Sequence, residues 1–144
     1  MTDIRRIDDR ISVAPQIRPE DVSDIAALGF VAIVNNRPDF EEGGQPGGDE
    51  IAAAAAEAGL AYTAIPVTHA GFSQEMVEAM AAALAEADGP VLAYCRAGTR
   101  SCNLWALAAA SGGGDPAALV SMGAGAGYDL NPMLPVLQAL SRKA

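Results

Sequence analysis

Apolar positions in this chain alternate between short continuous runs and longer stretches of helical spacing. Residues 11–14 (ISVA) form a first short run, ended by the turn-prone Pro15-Gln16. Residues 30–34 (FVAIV) are continuously apolar and β-branched or aromatic, the pattern of a strand covered on both faces. Residues 60–65 (LAYTAI) alternate and stop at Pro66, and residues 91–94 (VLAY) follow the Gly89-Pro90 break. Between the runs, Val22, Ile25, Ala26 and Leu28 recur at helical spacing, after an opening at Pro19-Glu20-Asp21 and before a stop at Gly29. An alanine-rich helix is predicted over 50–58, capped by Asp49 and ended by Gly59. Ser73 is the predicted N-cap of a helix reaching about residue 87. Three further helical pieces are predicted over 101–110, over 116–122 with Asp115 as cap, and over 132–140 with Asn131 as cap.

Strands alternating with helices predict an α/β fold with a mostly parallel central sheet flanked by helices, in one domain over residues 1–144. Ligands of such sheets sit beyond the carboxyl ends of the strands. That rule gathers three loops on one rim: Arg37 and Asp39 after the second strand, His69 after the third, and residues 95–100 (CRAGTR) after the fourth.

The last of these loops carries the chemistry. A strand, a compact glycine-containing loop and a helix make an anion cradle, because loop N–H groups and the positive end of the helix dipole converge there. A cysteine beside such donors and guanidinium groups is stabilised as the thiolate, the form that attacks. Cys95 is therefore the candidate nucleophile and Arg100 the clamp on the transferred group, since a planar guanidinium fork fits a tetrahedral anion. Arg96 is a weaker contact, and Trp105 on the following helix reads as core. Cys102 reads as packed in the core, with a resolving thiol for Cys95 as the functional alternative. Arg37 and Asp39 read either as substrate-facing groups or as a local ion pair around Pro38.

Composition narrows the picture. The 144 residues carry a formal charge of −9, which disfavours a general nucleic-acid binder. No apolar run approaches the roughly 20 residues of a membrane span. The N-terminal residues are charged without a signal-like apolar region, so a reducing cytoplasm is the expected compartment. Two cysteines seven apart and one histidine predict neither a disulfide framework nor a metal site, and no cofactor is expected. Nothing in the sequence specifies an oligomeric state.

Taken in order, the segments 35–39 (NNRPD), Gln45-Pro46, 65–67 (IPV), 89–92 (GPVL), 95–101 (CRAGTRS) and Leu104-Trp105-Ala106 resemble a bacterial family of phosphatase-like domains. Some of these are fused to metallo-β-lactamase-like hydrolases, and the family is similar in fold to dual-specificity phosphatases. The resemblance covers roughly residues 4–110. It implies a cysteine-phosphatase fold and a phosphocysteine intermediate, with Cys95 as nucleophile and Arg100 as bidentate clamp. Residues Arg96, Ala97, Gly98 and Thr99 would supply the backbone cradle, and the Ser101 hydroxyl would help the thiolate leave. The implied substrate is a phosphate- or sulfur-bearing small molecule, or a phosphoprotein.

Two departures open an alternative. The spacing is Cys-x4-Arg, one residue shorter than the usual phosphatase loop and equal to that of many rhodanese-like sulfurtransferases, in which the cysteine carries a persulfide. The loop after the third strand also lacks an Asp or Glu to protonate a leaving alcohol. His69 and Asp39 are the remaining candidates for that proton. A non-catalytic module that binds a phosphorylated or sulfur-bearing partner is a third possibility.

Overall fold

The computed structural model describes residues 2–144. Five strands form one sheet in the order β1-β2-β5-β3-β4: β1 (Arg5–Arg6), β2 (Ile11–Ala14), β3 (Ala32–Asn35), β4 (Ala61–Ala64) and β5 (Val91–Tyr94). β2, β5, β3 and β4 run parallel, and only β1 pairs antiparallel, against β2. The mostly parallel sheet predicted from the alternation of runs is therefore present. β1 was not predicted: two adjacent arginines carry no apolar periodicity, and their pairing depends on β2 being there.

Side chains alternate across the sheet, as period-two geometry requires. Ile11, Val13, Val34, Val91 and Ala93 face one core, with Met80 of α3 (Gln74–Glu86), Leu104 of α4 (Thr99–Ser111), Leu119 of α5 (Pro116–Gly125) and Leu137 of α6 (Leu134–Lys143). Ala14, Ile33, Leu92 and Tyr94 face the other, with Ile25 of α1 (Val22–Ala27) and Ile51 of α2 (Gly48–Glu57). Burial on both sides explains why β2, β3 and β5 read as unbroken apolar runs. β4 is the far edge and stays largely exposed, which fits its alternating sequence.

Several boundaries differ from expectation for local reasons. β3 begins at Ala32, because Ala32 is the first residue to pair with both Ala61 and Val91. Pro19–Asp21 forms a 3-10 turn ahead of α1. α2 is not capped by Asp49: it starts at Gly48, with the Glu50 carboxylate accepting from Gly47 N–H and Asp39 Oδ1 accepting from Gly48 N–H at 2.8 Å. Asn131 is not a cap either. It opens a 3-10 turn, Asn131–Met133, and donates from its backbone and side chain to Asp129 Oδ1. Ser73 and Asp115 do cap α3 and α5, accepting from Met76 N–H and Ala118 N–H. No helix among the described residues is long and apolar enough to cross a membrane.

Candidate active site

β5 lies between β2 and β3, so the loop leaving its end at Tyr94 is flanked by the chain leaving both neighbours. Cys95 N–H donates to Ala14 O at 3.4 Å, Gln16 N–H donates to Arg96 O at 3.2 Å, and Asn36 N–H donates to Tyr94 O at 2.8 Å. The turn into α4 is made by Gly98 at φ +89, a left-handed conformation that costs a glycine little. This places Gly98 N–H 3.1 Å from Cys95 Sγ, so a backbone donor points at the buried sulfur. Tyr128 closes the loop from outside, its hydroxyl donating to Ala97 O at 3.0 Å, and a Cβ on residue 98 would collide with that hydroxyl. The Tyr128 ring in turn lies under the Arg5 guanidinium, 5.3 Å from its centroid.

Arg100 sits in the first turn of α4, but its position is set by two distant segments. Its Nη1 donates to Glu41 Oε2 and to Val67 O, both at 2.7 Å, and its Nη2 donates to Glu41 Oε1 at 2.9 Å. The carboxylate thus grips the guanidinium end-on. The Nε–H edge has no oxygen acceptor among the described residues. The Arg100 pKa is raised, chiefly by the hydrogen bond to Glu41, with the Cys95 sulfur also contributing. Glu41 answers in the opposite sense. Its carboxyl is held down to about 2, first by the hydrogen bond from Arg100, against the upward push of burial, and with help from Arg37.

Arg37 is buried, with a side chain only 4% exposed, and fans its three nitrogens over three acceptors. Nε donates to Glu41 Oε1 at 2.9 Å, Nη1 to Gln16 Oε1 at 3.1 Å and Nη2 to Glu42 Oε1 at 2.7 Å. Arg96 Nε also meets Glu42 Oε1, at 2.9 Å. The ion pair entertained between Arg37 and Asp39 is therefore replaced by pairs with Glu41 and Glu42, while Asp39 holds the N-terminus of α2.

A cavity of about 410 Å³ opens over this cluster, lined by Arg37, Glu41, Glu42, His69, Arg96 and Arg100 among others. The predicted rim therefore does bring Arg37, His69, Arg96 and Arg100 together. Asp39 lies apart, on a second cavity with Asn35, Tyr62 and Gly48. His69 is exposed at the cavity wall. Ser101 is buried, and its hydroxyl donates to Asn36 Oδ1 at 2.8 Å; Asn36 in turn donates to Ile65 O. Ala97 on the loop and Thr99 at the start of α4 are exposed. Cys102 points into the helical core, where burial above all, and the Cys95 sulfur next, push its thiol up to about 12. Such a thiol is protonated at neutral pH, which suits packing better than redox exchange. Trp105 is core as expected. The sequence reading missed Glu41, Glu42, Gln16 and Tyr128, which reach the site from segments with no pattern of their own, and gave no site role to Asn36, although it lies in the 35–39 segment that carries the family resemblance.

A sheet of this order with a cysteine at the end of its central strand, a glycine-turned loop and an arginine opening the next helix has the fold of the cysteine phosphatases. A crystal structure of a candidate phosphatase from Neisseria meningitidis superposes with a TM-score of 0.82 at 33% identity, over 95% of this chain and 97% of that one. PTPMT1 shares the fold at 12% identity, with a TM-score of 0.73 over 98% of this chain and 95% of its own. So does Pseudomonas aeruginosa TpbA in complex with phosphotyrosine, at 18% identity and a TM-score of 0.66, over 97% of this chain and 88% of its own. The chain belongs to the family described as beta-lactamase hydrolase-like protein, phosphatase-like domain, whose model matches residues 3–112. It is 41% identical over 108 residues to the beta-lactamase hydrolase-like protein of Agrobacterium fabrum and 39% identical over 101 residues to that of Xylella fastidiosa. Those alignments cover 75% and 70% of this chain but only 25% and 23% of the relatives, so the chain corresponds to about a quarter of their length.

Proposed function

We propose that this phosphatase-like chain is a cysteine-dependent hydrolase that cleaves a phosphate ester through a phosphocysteine intermediate. The observation that carries the reading is the Gly98 N–H directed at Cys95 Sγ, 3.1 Å away, beside an Arg100 whose Nε–H edge is open. The Cys95 thiolate attacks phosphorus, and the bond from phosphorus to the ester oxygen breaks as the S–P bond forms. The loop N–H groups of residues 96–99 and the Arg100 fork hold the equatorial oxygens, where charge is spread in the transition state. The departing oxygen takes a proton from His69, which lines the same cavity as Arg100, whereas Asp39 lies on a different cavity and holds Gly48 N–H. Water then attacks phosphorus, releasing inorganic phosphate and returning the electron pair of the S–P bond to Cys95. Ser101, released from Asn36, supplies the hydroxyl that eases that departure. The substrate is a phosphate-bearing small molecule or phosphoprotein.

A second reading, sulfur transfer through a Cys95 persulfide, is favoured by a specific observation. Glu41 is the carboxylate closest to the clamp, and a group held near pKa 2 is no proton donor at neutral pH; Asp39 is spent on Gly48 N–H. Transfer between sulfur atoms does not need a proton donor for a leaving alcohol, and the four-residue spacing between Cys95 and Arg100 is of rhodanese length. One paired assay separates the readings. The purified protein and Cys95→Ser are offered an aryl phosphate and, separately, thiosulfate with cyanide as acceptor. Aryl phosphate turnover that disappears in Cys95→Ser is the expected result. Cys95-dependent turnover of thiosulfate alone overturns the phosphatase reading in favour of sulfur transfer.

A further inference from the structure

We infer that Arg37 and Arg96 form a second anion seat in the cavity that Arg100 lines, held by Glu42 until a ligand arrives, and that the substrate carries a carboxylate a few bonds from the group Cys95 attacks. The inference rests on Cys95 and Arg100 being the reacting end of the site. It does not depend on whether phosphorus or sulfur is transferred.

The two glutamates over the arginines are not equivalent. Glu41 is 20% exposed and is gripped by Arg100 through both of its oxygens, with Arg37 on one of them. Glu42 is 49% exposed, and both of its cationic partners, Arg37 Nη2 and Arg96 Nε, converge on the single oxygen Oε1. Its Oε2 has no partner among the described residues. Glu41 is thus built into the site, whereas Glu42 rests on it by one oxygen. The Arg96–Glu42 pair, 66% and 49% exposed, is of the weak and readily exchanged kind, and the buried Arg37 keeps Glu41 on its Nε when Glu42 leaves.

The chain after Glu42 permits the exchange. Gly43 and Gly44 meet nothing within 4 Å where a side chain would stand, and Gly44 is at φ +82. Glu42 is also shared by two cavities. The one over Arg100 holds about 410 Å³, and the other, of about 620 Å³, is lined by Gln16, Arg18, Glu20, Arg37, Glu42, Glu50 and the glycines of the loop, with Arg18 and Arg37 as its cations. Arg37 and Glu42 line both. When Glu42 swings out, the wall shared by the two spaces is lost, and the buried Arg37 presents Nη2–H to the cavity that Arg100 also lines. A ligand carboxylate replaces the Glu42 charge one for one, so the exchange leaves the local charge unchanged. It can also use both oxygens, one on Arg37 and one on Arg96, where Glu42 uses one. A ligand already anchored at Arg100 delivers that carboxylate intramolecularly.

The experiment uses full-length Cys95→Ser, which keeps the cradle without turnover, and isothermal titration calorimetry. The probes are methyl phosphate and a matched series of phosphate monoesters ending in a carboxylate: phosphoglycolate, 3-phosphooxypropionate and 4-phosphooxybutyrate. At least one carboxylate probe is expected to bind about tenfold or more tightly than methyl phosphate. Arg96→Gln in the same background collapses that ratio toward one, and Glu42→Gln widens it. Methyl phosphate binding that no member of the series improves, with or without Glu42→Gln, overturns the second seat and leaves the phosphatase reading standing. Carboxylate probes that bind through Arg96 while methyl phosphate does not bind retain the seat and count against the phosphatase reading.

Discussion

At the scale of single residues, the site is governed by how Arg100 is held. A guanidinium at the start of a helix has several rotamers open to it, and Glu41 with Val67 O selects one that leaves its Nε–H edge without an oxygen acceptor among the described residues. Glu41 is a positioning residue in this sense. Because its carboxyl is depressed to about 2 in the fold, against an ordinary 4.5, the ion pair contributes stability at every pH above the ordinary value. That contribution is lost as pH falls from about 4.5 toward 2. Thermal unfolding of the wild type and Glu41→Gln is therefore expected to show a gap in Tm that is constant from pH 7 to 5 and closes toward pH 2. A gap that persists undiminished at pH 2 would mean that Glu41 acts through shape rather than charge. The cysteine and the arginine were legible in the sequence as a strand-end nucleophile and a helix-start cation. Glu41 was not, because its loop of glycines, glutamates and prolines has no periodicity that fixes where a side chain points.

At the scale of elements, the loop after β3 has two duties that the sequence alone could not separate. Arg37, Glu41 and Glu42 turn toward the site, while Asp39 turns away and caps α2 through Gly48 N–H. Asp39→Ala is expected to lower stability by about 1 kcal/mol in urea unfolding, the usual worth of such a cap. Asp39→Asn keeps a side-chain oxygen for Gly48, so it separates capping from catalysis. It should recover most of the stability and leave turnover of alkyl phosphates intact, whereas a steep loss of turnover in that variant would restore Asp39 as the proton donor. The helix boundaries follow the same logic. Ser73 and Asp115 could be read as caps because a side chain three residues back from an amide is a local arrangement. Asp49 and Asn131 were misread because the chain around them was free to cap or turn in another way.

At the scale of the whole molecule, α5 and α6 lie beyond the residues that match the family model, yet they complete the core and the site. Leu137 of α6 is fully buried against α4, the helix that presents Arg100, and Tyr128 reaches from the α5–α6 connection to Ala97 O. Leu137→Ala is expected to cost about 2–5 kcal/mol in chemical denaturation, the range for a leucine lost from a packed core. A cost below 1 kcal/mol would show that α6 is not part of the cooperative unit.

The sequence by itself determined the α/β alternation, the rim on which the loops meet, and the strand–loop–helix unit from Val91 to Ser111. These follow from apolar periodicity, turn residues and helix signals, all of which act between neighbours in the chain. The tertiary structure alone decided which carboxylates face the arginines, which residue closes the loop from outside, and where Asp39 goes. Glu41 meets Arg100 across 59 positions and Tyr128 meets Ala97 across 31. Such pairings arise when the packed sheet and helices bring loop ends within reach of one another, and a loop without periodicity records no trace of its partner beforehand.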